Sequence, residues 1–240
     1  MKDLSPDFQA AGFDDESNPL APPPSNAAVA YQEIKRRIMD NVYMIGATVS
    51  MQETADLLRM SRTPIRDALI RLEEERLVKL VPRHGFQVLP ISARDTADVY
   101  GILTALEVLA IEQLMESALS AEKIAELEAG VAGLEHALAT GDLEAWARFD
   151  AIFHETLTAL SGNRRLTELV RQFQDQTRRA RRITLHLRAT PEISTRNHRE
   201  LVEAIKSGDT ERACATHKAQ RARSARELTG ILKTLDIRHL

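Results

Sequence analysis

Apolar residues recur every three or four positions along most of the chain, the spacing of one face of an α-helix. Tyr31, Ile34 and Ile38 predict a first helix that starts at Ala28 and ends near Asn41. The stretch before this helix has no apolar face and contains four prolines within residues 18–27. We therefore predict a disordered tail over residues 1–28.

The next two helices are predicted to be short and close together. Ala55, Leu57 and Leu58 mark the second helix, and Ser50 with Glu53 three residues later has the spacing of an N-terminal capping box. The third helix is predicted to start at Arg62, after Ser61 as N-cap, and to end around Glu75. It tolerates Pro64 because a first-turn amide has no acceptor within the helix. Its buried positions are Ile65, Leu69 and Leu72.

Two β-rich runs follow the third helix, at residues 77–81 and 86–89. A turn with Pro82 and Gly85 separates them, which predicts a hairpin. Three helices and a hairpin within residues 29–92 predict a winged helix-turn-helix domain.

From residue 93 onward the pattern is entirely helical. Breaks containing Ser, Thr, Asn or Asp as N-caps divide this part into six helices, and Gly141, Gly162 and Gly208 are placed to end the preceding helix. We predict an antiparallel bundle over residues 93–240. The predicted fold class is mainly α, with an N-terminal winged helix-turn-helix followed by an all-α antiparallel helical bundle.

Composition adds one local asymmetry to this picture. The net charge of the 240 residues is -3, yet residues 31–92 carry ten Lys and Arg against eight acids, whereas residues 1–30 carry one Lys against five. The lone cysteine, Cys214, excludes an intrachain disulfide. No signal peptide and no apolar run of membrane-spanning length occur, so we expect a cytoplasmic protein without a membrane partner.

The third helix carries candidate chemistry in "MSRTPIRDAL", residues 60–69. Arg62 and Arg66 lie four residues apart and share a helix face, where each could contact guanine or a phosphate. Ser61 and Thr63 could contact phosphate, and Arg83 and His84 occupy the tip of the hairpin. The alternative is a solvated face in which Arg62, Arg66 and Arg71 pair with Asp67 and with Glu73 to Glu75.

"MSRTPIRDALIRLEEERLV" followed by "PRHGFQV" resembles the DNA-binding half of the GntR family of bacterial transcription regulators. The resemblance implies that Arg62, Thr63 and Arg66 contact DNA and that His84 and Gly85 form the wing tip. Arg59 and Arg76 stand where this family usually has glycine, and Gln52 where many members have arginine. The candidate DNA contacts are Gln52, Arg59, Ser61, Arg62, Thr63, Arg66, Arg83, His84 and Gly85.

A second group of candidate residues lies in the helical part. Asp150 and His154 are four apart on a predicted helix, so they can bind one metal ion or form a hydrogen-bonded pair. His198, and either His217 or Gln220, are candidates to complete a metal site.

The helical part also resembles the FCD domain of the FadR subfamily of these regulators. That resemblance implies a divalent metal ion (Zn, Ni or Mn) on Asp150, His154 and His198, beside a small carboxylate effector. Gln220 falls where the fourth ligand is usually His, so three outcomes stay open: three ligands plus water, recruitment of His217, or direct effector binding without metal. Leu103 replaces a frequent arginine. Asn163, Arg178 and Arg182 are candidate effector contacts.

These features predict a one-component repressor or activator rather than an enzyme. A homodimer would bind a pseudo-palindromic double-stranded operator, and the carboxylate effector would change that binding. The alternatives are a metal-dependent enzyme that acts on a small organic acid, and a DNA-binding protein without an effector.

Overall fold

The computed structural model describes residues 24–117 and 119–235. Residues 1–23 of the predicted tail lie outside the described residues. Helix α1 (Asn26–Met39) begins two residues before the predicted start, because the Ser25 hydroxyl accepts a hydrogen bond from the Ala28 amide and caps it.

The N-terminal part contains three helices and a small sheet. In chain order these are α1, β1 (Thr48–Val49), α2 (Met51–Leu58), α3 (Arg62–Glu74), β2 (Val78–Val81) and β3 (Gly85–Val88). The sheet is antiparallel with the order β1-β3-β2. Strand β1 has only two residues, too few to produce the alternation that predicts a strand. Leu57 lies on the exposed side of α2, whereas Ile65, Leu69 and Leu72 are buried as predicted.

Arginine occupies two left-handed backbone positions next to α3. Arg59 ends α2 with φ 53°, and Arg76 follows the C-cap of α3 with φ 57°. A side chain in this region strains the backbone, and glycine is the usual residue after a helix C-cap. The two departures from the usual glycine pattern therefore fall where glycine is conformationally favoured.

Replacing Arg76 with glycine is expected to raise the free energy of unfolding by about 0.5–1 kcal/mol, because relief of strain exceeds the extra freedom of glycine in the unfolded chain. Urea unfolding measures the change. Arg71→Gly is the control: Arg71 lies within α3, so this substitution should destabilise by about 1 kcal/mol. Destabilisation by both variants would refute the strain argument.

The C-terminal part contains six α-helices within the described residues. They are α4 (Ala93–Glu116), α5 (Ala121–Thr140), α6 (Leu143–Ala159), α7 (Arg164–Ile183), α8 (Glu192–Lys206) and α9 (Thr210–Thr234), with a short 3-10 helix at Leu185–Leu187. Gly141, Gly162 and Gly208 have positive φ and end helices, as predicted. Helix α4 packs along α7 and α9, and α5 packs on α6 and α8.

Helix α7 also contacts the N-terminal part. Its Asp175 forms a salt bridge with Lys35 at 2.6 Å, and Arg182 forms one with Asp40 at 2.8 Å. The buried Arg179 guanidinium donates to the Leu89 carbonyl oxygen at 3.1 Å. One helix of the bundle thus holds the winged helix at three places.

Candidate functional site

A cationic cleft lies between the N-terminus of α3 and the β2–β3 hairpin. It has a volume of about 340 Å³, and its lining includes Arg62, Arg66, Arg83, His84 and Gly85. Burial of Ile65 and Leu69 on the inner side of α3 turns both α3 arginines outward. The structure thus brings together predicted contacts from α3 and the hairpin, which are separate in sequence.

The arginines of this cleft form no salt bridge within the described residues. The basic partners in the salt bridges that involve residues 24–92 are Lys35, Arg36, Arg37 and Arg182. Glu73 accepts from the Leu80 amide at 2.7 Å, and Glu75 pairs with Lys35 at 2.9 Å. Arg71 stacks on the Tyr31 ring instead. The geometry therefore does not support the alternative of a mutually paired, solvated face.

Ser61 is the N-cap of α3 by backbone geometry, but its side chain makes no capping hydrogen bond. Pro64 removes one of the two amides that could bond to this cap, because it occupies the third helical position and has no amide hydrogen. Ser61 and Thr63 are both exposed and lie at the end of α3 that borders the cleft. Exposed Gln52 donates to Asp56 at 2.8 Å on α2.

Gly85 is required at the hairpin tip by its conformation. It has φ +103°, and a Cβ atom there would lie 2.1 Å from the Val49 carbonyl oxygen. Arg83, two residues before Gly85, also has positive φ, at 66°. The tight tip presents Arg83 and His84 to solvent beside α3.

The predicted metal ligands converge in the centre of the bundle. Asp150 Oδ1 lies 3.8 Å from His154 Nε2 and 3.4 Å from His198 Nε2, and the two imidazole nitrogens are 3.4 Å apart. All three side chains are buried. Donors that share one divalent ion at about 2.1 Å are separated by roughly 3–3.5 Å. Two of the three separations lie in this range and the Asp150–His154 separation of 3.8 Å lies just above it, so a small side-chain adjustment would let this donor set hold a metal ion.

Neighbouring groups orient the two imidazoles. His198 Nδ1 donates to the Ser194 carbonyl oxygen at 2.7 Å, which leaves Nε2 free to act as a ligand. Burial lowers the pKa of His198 to about 4, and burial with the Arg221 charge holds the pKa of His154 well below its ordinary value. Burial raises the pKa of Asp150, but the Arg181 charge outweighs it and the net direction is down. The ligands are thus held as neutral imidazoles and a carboxylate.

The two candidates for the fourth ligand occupy different places. The Gln220 amide nitrogen Nε2 lies 3.1 Å from His198 Nε2, and the buried Gln220 Oε1 has no hydrogen-bond partner. His217 Nε2 lies 2.9 Å from Glu107 Oε2, in a second buried group formed by Glu107, His154 and His217. Gln220 therefore lies beside the first group, whereas His217 belongs to the second.

A cavity of about 240 Å³ opens next to this metal-ligand cluster. Its lining includes Asp150, His154 and Gln220, together with Arg181, Arg188 and Arg221. Arg181 pairs with Asp150, and Arg221 pairs with Glu107. This composition makes the cavity a candidate site for a small anion.

The lining of this cavity does not include the predicted effector contacts Asn163, Arg178 and Arg182. Asn163 caps α7 by accepting from the Leu166 amide, Arg178 is exposed, and Arg182 pairs with Asp40. The cavity arginines Arg181, Arg188, Arg221 and Arg223 were not predicted. The buried Thr177 and Ala180 mark the inner face of α7, and Arg181, one turn after Thr177, lies on that face.

The fold and the two sites define a class of protein: a winged-helix DNA-binding domain joined to a helical domain that contains a polar cavity. Comparisons with known proteins agree. Residues 26–88 match the family described as bacterial regulatory proteins, gntR family, and residues 98–220 match the FCD domain family.

Similar proteins share most of their length with this chain. The uncharacterised HTH-type transcriptional regulator YdhC of Bacillus subtilis is 30% identical over 185 residues, which are 76% of this chain and 82% of YdhC. The HTH-type transcriptional repressor RspR of Escherichia coli is 24% identical over 82% of this chain and 88% of RspR. The solved structure of E. coli McbR/YncC superimposes with a TM-score of 0.73 at 22% identity and covers 89% of this chain and 99% of McbR/YncC, which establishes the shared fold.

The chain therefore belongs to the GntR family of bacterial regulatory proteins and carries an FCD domain. It is a DNA-binding transcriptional regulator and not an enzyme. In residues 24–117 and 119–235, no helix is both long and apolar enough to cross a bilayer.

Proposed function

We propose that a small carboxylate binds in the helical cavity and changes the affinity of the winged helix for its operator. The observation that carries the proposal is the double use of α7. Arg181 of this helix lines the cavity, whereas its Asp175, Arg179 and Arg182 contact the DNA-binding domain. A ligand that moves Arg181 acts on the helix that positions the winged helix.

We also propose that Asp150, His154 and His198 hold a divalent ion (Zn, Ni or Mn), with Gln220 Oε1 as fourth donor. The donor separations and the unpaired Gln220 oxygen support this assignment, in which rotation of the amide by about 180° exchanges Nε2 for Oε1 beside His198. When bound, the ion supplies positive charge and open positions for carboxylate and hydroxyl oxygens. Arg181, on the other Asp150 oxygen, orients that carboxylate.

Operator selection from a random-sequence DNA library with the wild-type protein provides the probe for a direct test. Small carboxylic acids are then added to the protein–DNA complex, with and without metal removal by a chelator. At least one acid is expected to change the DNA affinity about tenfold. A DNA affinity that no acid changes would favour the alternative of a regulator without an effector.

We propose that two copies of the chain associate through the outer face of α4 and α7. The resulting homodimer would bind a pseudo-palindromic operator. On this face Ile102, Leu109 and Leu169 are 42%, 40% and 46% exposed. They flank the half-buried Leu106 and Phe173, which pack on a small core between the two helices. An apolar surface that continues a core in this way is typical of a protein interface.

Leu109→Glu is expected to weaken self-association about 100-fold or more, because a carboxylate would be buried at the interface without a partner. Sedimentation at several protein concentrations measures the monomer–dimer equilibrium. Leu187→Glu is the control, since Leu187 is also exposed but lies in the 3-10 helix. If both variants associate like wild type, this face is not the interface.

A further inference from the structure

The cavity has two chemically different ends, arranged along α6 and α8. On α6, Trp146 lies one turn before Asp150 and two turns before His154, so the lining passes from apolar to polar within about 12 Å. On α8, Ile193 precedes His198 in the same order. The two helices are in register here, because Trp146 Nε1 donates to Thr195 Oγ1 at 2.8 Å and Asp150 lies against His198.

The apolar end offers few hydrogen bonds. The Trp146 N–H already donates to Thr195, and the side chains of Leu143, Pro191 and Ile193 neither donate nor accept, so the Thr190 and Ser194 hydroxyls are the hydrogen-bonding side chains beside them in the lining. Binding of ligand hydroxyl groups here is unfavourable, because they would lose hydrogen bonds to water. Binding of hydrocarbon here is favourable, because its surface would be removed from water.

Four arginines line the cavity, namely Arg181, Arg188, Arg221 and Arg223, and among them Arg188 has a buried guanidinium nitrogen without a hydrogen-bond partner. Arg181 and Arg221 already pair with Asp150 and Glu107. One Arg188 amino group donates to the Arg181 carbonyl oxygen at 3.1 Å, but its buried Nε has no partner. Among the described residues no carboxylate lies within salt-bridge distance of it. Burial and the Arg181 charge lower the pKa of Arg188, and the opposing charges of Asp150 and Glu227 offset this only in part.

We propose that Arg188 binds the carboxylate of a small acid whose apolar body lies against Trp146 and Ile193. The guanidinium fork matches a carboxylate in shape and charge. The ligand class is thus a monocarboxylic acid with a short hydrocarbon or aromatic body rather than a polyhydroxylated acid. The proposal rests on the cavity being the effector site, and it adds the residue and the ligand class.

Trp146 is the single tryptophan of the chain, so its fluorescence reports directly on this cavity. The test titrates hexanoate, 4-methylpentanoate and phenylacetate, each matched with its neutral amide, and uses gluconate as the hydroxylated acid. At least one apolar acid is expected to change the fluorescence saturably. Its amide and gluconate should bind at least about tenfold more weakly. Tighter binding of gluconate, or no response to any apolar acid, overturns the proposal.

Variants then assign the contact to Arg188. Arg188→Gln is expected to weaken binding of the apolar acid about 10- to 100-fold, and Arg188→Lys by less, because lysine keeps the charge without the fork. Arg178→Gln removes an exposed α7 arginine outside the cavity and should bind as wild type. Thermal unfolding checks that each variant is folded. Wild-type affinity in Arg188→Gln refutes the role of Arg188.

DNA binding measured in the same samples separates this inference from the proposed function. An apolar acid that needs Arg188 but leaves DNA affinity unchanged supports the inference and contradicts effector control. If gluconate changes the DNA affinity and the apolar acids do not, the result supports effector control and contradicts the inference.

Discussion

The double variant Arg62→Ala, Arg66→Ala is expected to bind the selected operator at least about 100-fold more weakly than wild type, without loss of folding. Both side chains line the cleft beside the wing, and neither takes part in the salt bridges of the N-terminal domain. A bidentate contact to a base contributes about 1–3 kcal/mol, so loss of two such contacts accounts for this factor. The inner face of α3, with Ile65 and Leu69, stays intact.

Fluorescence anisotropy with operator and scrambled duplexes at several salt concentrations measures the effect. The matched control is Arg71→Gln, which removes one positive charge from the same helix but from the side that stacks on Tyr31. If each arginine binds phosphate instead of a base, affinity falls on both duplexes and the salt slope drops by about one per residue. Unchanged affinity for both duplexes would contradict the assignment of this cleft as the DNA interface.

Arg221→Met is expected to lower the free energy of unfolding by about 3–5 kcal/mol, the largest stability change predicted for this chain. Glu107 is fully buried, and Arg221 Nε donates to its Oε2 at 2.5 Å, with His217 Nε2 at 2.9 Å from the same oxygen. Removal of the guanidinium leaves a buried carboxylate without its main counter-charge. Methionine fills similar volume, so the effect reports charge rather than a cavity.

The double variant Glu107→Leu, Arg221→Met is the control, because removing both charges should restore most of the stability. Burial raises the pKa of Glu107, but Arg221 and the neighbouring histidines reverse the direction, and the folded-state pKa is lowered. The wild-type contribution of Glu107 is therefore present above the unfolded carboxyl pKa and is lost as pH falls through the folded value. Denaturant unfolding of wild type and both variants tests this. A double variant as unstable as Arg221→Met would show that packing, not charge, causes the loss.

Local signals in the sequence predicted the elements well and the side-chain environments less completely. Caps such as Ser50 and the helix-ending glycines act within a few residues, so they are visible in sequence. The cluster of Asp150, His154 and His198 was also accessible, because i, i+4 spacing and the resemblance supplied its members. Strand β1 could not be predicted from the sequence, because two residues carry no periodicity and its pairing with β3 is a long-range contact.

The arginines show where local reasoning fails. In α7, Arg178, Arg181 and Arg182 belong to one run, and only packing against α6 and the 3-10 helix decides which of them faces the cavity. Glu107 was missed for a related reason. A single acid within the apolar run of α4 indicates a buried charge, but its partners lie about 110 residues later on α9.

Helix α7 has a thermodynamic consequence for the proposed regulation. Arg181 faces the cavity, and Arg179 and Arg182, within two residues of it, hold Leu89 and Asp40 of the winged helix. Under the proposed function, the coupling between the two sites must be reciprocal. An operator duplex will then change the affinity of the cavity for its acid by the same factor by which the acid changes the affinity for the duplex. Genomic DNA that carries the operator would thereby tune the acid concentration to which each bound copy responds.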